Sequence, residues 1–194
     1  MENIKYKISP GDKSTIKHQL SNIFVLPAFF ILLLSSCGFG DWRVYDTSEF
    51  SIEFPGIAKD TVTTVGNTSG ARYYFEPVQG ALDSNMYYAI SMYSLPDSFN
   101  LIKENLDQLF KTDVQIYAWS IDGELSDSGR VVKSGDVEGR EYKVTIAGNR
   151  GISTVRKFAI GKHLYTLLVV TENMKLNNSA IRKFMDSFKL KKVK

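Results

Sequence analysis

The chain has one cysteine and two histidines among its 194 residues. No disulfide can form within it, and a zinc site built on sulfur and nitrogen ligands has too few donors. His18 lies before the one long apolar run, so any histidine-based triad in the body of the protein rests on His163. That residue follows the turn pair Gly161-Lys162, a strand-end position. There is no G-x-S-x-G elbow, no G-x-x-x-x-G-K-[S/T] loop and no complete G-x-G-x-x-G. An excess of either charge is also missing. The formal net charge is +3, and residues 1–36 supply four lysines against Glu2 and Asp12. Removing them leaves 24 − 4 = 20 basic and 21 − 2 = 19 acidic residues, a net of +1. A near-neutral body argues against nucleic acid as the main partner, since that binding needs a concentrated basic footprint.

A membrane span is absent as well. The longest apolar run, Ile23–Leu34, is 12 residues, where crossing a bilayer takes about 20. Its length instead matches the apolar core of a secretory signal, and the lysine-bearing polar segment before it matches the basic region of one. Immediately after it stand Leu34-Ser35-Ser36-Cys37. This tetrad resembles the bacterial lipobox, a leucine, two small residues and a cysteine at a lipoprotein signal-peptidase site. The resemblance implies a signal peptide over 1–36 and lipid attachment (diacylglycerol, palmitate) at Cys37. A short lipidated tether over 37–41 and a single domain over 42–194 would follow. An uncleaved signal anchor is the other reading of the same residues. One acyl chain holds a protein marginally and two hold it stably, at about 0.8 kcal/mol per buried methylene. The expected location is therefore the bacterial cell envelope, lipid-anchored. Gly38 carries no evident inner-membrane retention signal, which points to the outer membrane. The tail Phe188–Lys194 holds four lysines, either a solvated end or a contact for anionic headgroups.

Periodicity describes the rest. Phe50, Ile52 and Phe54 alternate with Ser51 and Glu53, a half-buried strand closed by the turn Pro55-Gly56. Asp60–Val65 is β-branched and strand-like, followed by a loop over Gly66–Gly70. In the next strand Ala71, Tyr73 and Phe75 share one face, and Arg72, Tyr74 and Glu76 the other. Met86–Leu95 is a longer strand, apolar on both faces, whose small residues Ala89 and Ser91 predict a helix packed over them. That helix is predicted from an N-cap at Ser98 through Leu106 and Phe110. Ile121–Gly139 is rich in glycine, serine and acids, with one short strand at Arg130–Lys133. Two alternating strands joined at Gly161-Lys162 should place Phe158 opposite Tyr165 and Ile160 opposite His163. A last helix, capped by Asn178, presents Ile181, Phe184 and Met185. The expected fold class is α+β, an antiparallel β-sheet flanked by helices.

The opening "FSIEFPG" after an aromatic start, and the close "GKHLYTLLVV…IRKFMDSFKL", resemble the PsbP-like fold, an α/β/α sandwich. The likeness covers roughly residues 42–190. Its plant members assist photosystem assembly and oxygen evolution, and a eukaryotic relative binds a small GTPase. No functional residue of those proteins has a matching motif here. The resemblance implies a non-catalytic accessory or binding module.

The acidic loop Asp122–Arg130 fails as an EF-hand, because its sixth position is Asp127 and not glycine, and it reads as an ordinary solvated loop, with an irregular calcium site as the other reading. Glu76 with Asp83, or Asp136 with Glu138, are carboxylate pairs near in sequence, in stretches where acids are normally solvated. No cofactor or metal is expected. Tyrosine stands out: there are ten, including Tyr73-Tyr74 and Tyr87-Tyr88. Tyrosines of this kind read first as sheet packing with solvated hydroxyls. The other reading is a binding surface, and since Tyr74, between Arg72 and Glu76, is the ring expected to be exposed, Arg72, Tyr74 and Glu76 are its candidate residues. The leading expectation is a membrane-anchored interaction or accessory module that docks on another envelope protein. A small-ligand carrier or sensor is the alternative, and a hydrolase using acidic residues a third.

Overall fold

Alternation of apolar and polar residues puts one side of each strand in oil and the other in water, unless both faces of a sheet are covered. Both cases occur here. The computed structural model describes residues 41–65, 68–77, 85–96, 103–172 and 178–191, all within the unit Asp41–Lys194. In chain order the elements are β1 (Arg43–Asp46), β2 (Phe50–Phe54), β3 (Lys59–Val65), β4 (Thr68–Phe75), β5 (Asn85–Ser94) and α1 (Lys103–Ser120). There follow β6 (Gly123–Leu125), β7 (Arg130–Ser134), β8 (Val137–Ile146), β9 (Gly151–Ile160), β10 (His163–Glu172), α2 (Ser179–Ser187) and β11 (Lys189–Leu190). A large antiparallel sheet runs β3-β4-β5-β10-β9-β8-β6, with β7 also paired to β8; a small sheet runs β1-β2-β11.

Each face of the large sheet has its own core. On the first, Tyr88, Ile90, Phe158, Tyr165, Leu167 and Val169 meet Phe50, Ile52 and Phe54 of β2 and Ile181, Phe184 and Met185 of α2. On the second, Tyr142, Val144, Val155 and Leu164 meet Phe110, Val114 and Ala118 of α1, which recur every fourth residue along the helix. Burying one such aliphatic or aromatic side chain stabilises by roughly 1.5–3 kcal/mol. This explains α2. At nine residues it is too short to be helical alone, so its stripe Ile181, Phe184 and Met185 must supply the stability. Asn178 caps it, accepting from the Ala180 amide at 2.9 Å.

The β9–β10 register is the expected one: Phe158 opposes Tyr165 and Ile160 opposes His163. Gly161 between them has φ of 56°, the positive value that a two-residue hairpin loop needs at its first position. Asn178 as cap and the burial of Ile181, Phe184 and Met185 also agree with expectation. Other elements differ. Thr68–Gly70 belong to β4, paired with Gly70 opposite Thr63 and Thr68 opposite Val65, so the expected Gly66–Gly70 loop is shorter. Ser98 lies outside the described residues. The helix that follows it packs chiefly on β6, β8 and β9 rather than over Ala89 and Ser91 of β5, because its apolar stripe matches Tyr142, Val144 and Val155. β1, β6 and β11 are four residues or fewer and carry no periodic signal of their own. β1 is held by Trp42, which packs edge-on to Tyr88 at 6.3 Å and carries the Lys183 ammonium 4.5 Å from its ring.

Candidate functional site

On the α1 side of the large sheet, the strand register aligns six polar residues in one row across the strands. Thr61 opposes Arg72, Arg72 opposes Ser91, Ser91 opposes Thr166, Thr166 opposes Lys157, and Lys157 opposes Arg140. Apolar residues lie beside it: Tyr74, Ala89, Leu168, Val155 and Tyr142 form the neighbouring row. Three cations in a half-buried row require counter-charges or water.

Helix α1, together with Glu138 of β8, supplies them at one end. Asp107 accepts from Arg140 at 2.8 Å, and Glu138 accepts from the same guanidinium at 2.9 Å. Asp113 pairs with Lys157, whose ammonium also donates to Thr166 at 2.6 Å. Burial lowers the Lys157 pKa to about 7, and the Asp113 carboxylate is its counter-charge.

At the other end the neighbours of Arg72 are hydroxyls. Its Nε donates to Ser91 Oγ at 3.0 Å, and its guanidinium hydrogen-bonds the Tyr87 hydroxyl. Tyr74 stacks on Tyr87 with ring centroids 5.9 Å apart and planes 26° from parallel. Tyr117 reaches in from α1, its hydroxyl bonded to Ser153 Oγ at 2.8 Å and within the electrostatic influence of Arg72 and Tyr87. Burial raises the pKa of both Tyr87 and Tyr117, partly offset at Tyr87 by Arg72 and at Tyr117 by the Ser153 hydrogen bond and then Arg72, so both remain neutral hydroxyls near neutral pH. Lys59 stands 5.7 Å from the Tyr74 ring centre and 3.9 Å from Glu76.

Of the expected surface, Arg72 and Tyr74 are thus brought together, with Tyr74 half-buried in a stack rather than freely exposed. Glu76 lies at the margin, paired with exposed Lys59. Tyr87, Ser91 and Tyr117 complete the site. The first two were visible as same-face neighbours in one strand, whereas Tyr117 arrives through α1, which no local pattern could place. Cys37 and Asp83 lie outside the described residues.

Two further residues singled out in the sequence have local partners. His163 Nδ1 lies 3.4 Å from Ser94 Oγ at the strand end. Asp127 accepts from the Gly129 amide, a local turn. Among the described residues no group of three or more histidines, cysteines or acids could hold a metal ion, and no helix is long and apolar enough to cross a membrane. An open depression of about 210 Å³ lies on the outer side of α1, lined by Gln108, Lys111, Thr112, Gln115 and Trp119.

No protein-family model and no curated protein matches the chain. Among solved structures, it is similar to the solution structure of cyanobacterial PsbP (CyanoP) from Synechocystis sp. PCC 6803. The TM-score is 0.55 at 11% sequence identity, over 80% of this chain and 95% of that one. The chain therefore has a PsbP-like fold, an antiparallel sheet flanked by helices.

Proposed function

We propose that this chain is a lipid-anchored interaction module of the bacterial cell envelope, non-catalytic, that docks on another envelope protein. The observation that carries the reading is the tyrosine–arginine surface at the β4–β5 end of the polar row. It joins two stacked tyrosine rings, the Tyr117 hydroxyl and a guanidinium, the residue types enriched in protein interfaces. The lipobox-like Leu34-Ser35-Ser36-Cys37 supports the anchor, with residues 1–36 as signal peptide and Cys37 as the lipidated residue. From Cys37 to Arg43 the chain spans six residues, a contour of roughly 20 Å at most. The domain would therefore work close to its membrane, with an outer-membrane location favoured by Gly38.

The test is crosslinking in cells with the intact protein, followed by capture and mass spectrometry, beside a Cys37→Ala control. One reproducible envelope partner in the wild type, lost or strongly reduced when the anchor is removed, is the expected result. A wild type that crosslinks to nothing, or a Cys37→Ala protein that stays membrane-bound, overturns the corresponding half of the reading.

A further inference from the structure

Three arginines among the described residues are withdrawn from full exposure: Arg72, Arg140 and Arg156. Two of them carry carboxylates. Arg140 holds Asp107 and Glu138, and Arg156 holds Glu141 and Asp186. Arg72 has, among the described residues, no carboxylate within ion-pair distance; its partners are the Ser91 and Tyr87 hydroxyls, and Glu76, whose charge also reaches Tyr87, is paired with Lys59. Drawing a guanidinium partly out of water while giving it neutral partners leaves electrostatic demand unmet.

The geometry fits one kind of occupant. Nε is committed to Ser91, the guanidinium also bonds the Tyr87 hydroxyl of β5, and the Tyr117 hydroxyl of α1 lies within its electrostatic reach. A guanidinium so placed keeps further N–H donors for a carboxylate. The Tyr74–Tyr87 stack offers a flat apolar wall beside it, suited to the methylenes or an apolar neighbour of an acidic side chain. The surface is shared among β4, β5 and α1, a spread that suits a polypeptide rather than an isolated small anion. Lys59, above the Tyr74 ring at the rim, is already paired with Glu76, so the charge left for a partner is that of Arg72.

We propose that Arg72 is the anchor for a carboxylate on a partner protein, an aspartate or glutamate side chain that completes the polar row as Asp107 and Asp113 complete its other end. This rests on the docking reading above and specifies the chemistry of the partner.

The experiment is a selection of random twelve-residue displayed peptides on the intact lipidated protein in detergent, repeated on Arg72→Gln, Arg72→Lys and Tyr74→Ala. Melting curves confirm that each variant is folded. Selected peptides should be enriched in Asp or Glu beside an apolar residue. A synthetic peptide from that set should lose about tenfold or more in affinity to Arg72→Gln, the scale of a charge-assisted pair. It should lose less to Arg72→Lys, and its Glu→Gln or Asp→Asn analogue should bind the wild type as weakly. Peptides without acidic enrichment, an empty selection, or unchanged affinity in Arg72→Gln would each overturn the proposal. Saturable binding of acetate or inorganic phosphate at Arg72 without peptide enrichment would reassign the site to a small anion. Repeating the cellular crosslinking with Arg72→Gln separates the two claims. A partner captured equally well by that variant leaves docking intact and removes Arg72 from it, whereas no partner from the wild type defeats the docking reading itself.

Discussion

Glu141 of β8 and Arg156 of β9 are register partners across the sheet, and their side chains join at 2.5 Å with each 8% exposed. Arg156 continues to Asp186 of α2 at 2.7 Å, so the pair ties the helix to the sheet beside the first core. Burial alone would raise the Glu141 pKa. The hydrogen bond from Arg156, with the charges of Arg156, Lys143 and Arg130, outweighs it and holds the carboxyl below its ordinary 4.5. Glu141→Gln should lower stability by about 3 kcal/mol near neutral pH, because it leaves a buried guanidinium undercompensated. The pH dependence follows in sign. A depressed carboxyl pKa contributes stability above the unfolded value, and that contribution is lost as pH falls through the folded value. Denaturant midpoints from pH 7 down to 3 should converge between wild type and variant; a constant gap would show that the charge is not the cause.

Lys157 presents the opposite case. Its folded pKa, lowered by burial to about 7 from 10.5, means the unfolded chain binds more protons between those values. Stability from this residue therefore rises with pH across that window. Lys157→Met, of similar length and without charge, should flatten that rise while costing little at neutral pH. Asp113→Asn should cost less than about 1 kcal/mol at neutral pH, because an ammonium with a pKa near 7 can shed its proton, and the loss should grow as pH falls. A loss in Asp113→Asn that does not change between pH 7 and 5 would refute the pairing.

Phe184 is fully buried, with Phe54 at 5.2 Å and Tyr88 at 5.3 Å between ring centres. It joins α2 to both sheets. Phe184→Ala should cost about 3–5 kcal/mol, measured by urea or thermal unfolding. Hydrogen exchange should show the β2 amides losing protection together with α2.

Gly129 adopts φ of 91°, and a Cβ there would lie 2.5 Å from the Tyr142 ring. Gly129→Ala combines backbone strain with a clash against a buried aromatic, for a loss of about 1–3 kcal/mol. Tyr142→Leu in the same chain should recover part of that loss. No recovery would assign the effect to the backbone alone.

Much of the architecture was legible because the period of a strand or helix is written in neighbouring residues. Phe50, Ile52 and Phe54 alternate into one core, Ile181, Phe184 and Met185 form a helical stripe into the same core, and Gly161-Lys162 marks its hairpin. β1, β6 and β11 are too short to show a period, and pairing alone makes them strands. The same limit governs the candidate site. Arg72 and Tyr74 share a face by local alternation, and Tyr87 and Ser91 share one in their own strand. Which face of β5 meets which face of β4, and that α1 brings Tyr117 there, depends on partners distant in sequence.

What the sequence determined by itself is what short-range physics controls: alternation, helix stripes, turns, the lipobox-like tetrad and the near-neutral charge of the body. What only the tertiary structure decided is how charge is shared along the polar row. Asp107 and Asp113 reach Arg140 and Lys157 because the apolar stripe of α1 settles on β8 and β9, leaving Arg72 among hydroxyls. No local pattern carries that information, because a counter-charge is assigned by the packing of remote apolar surfaces and not by the residues on either side of it.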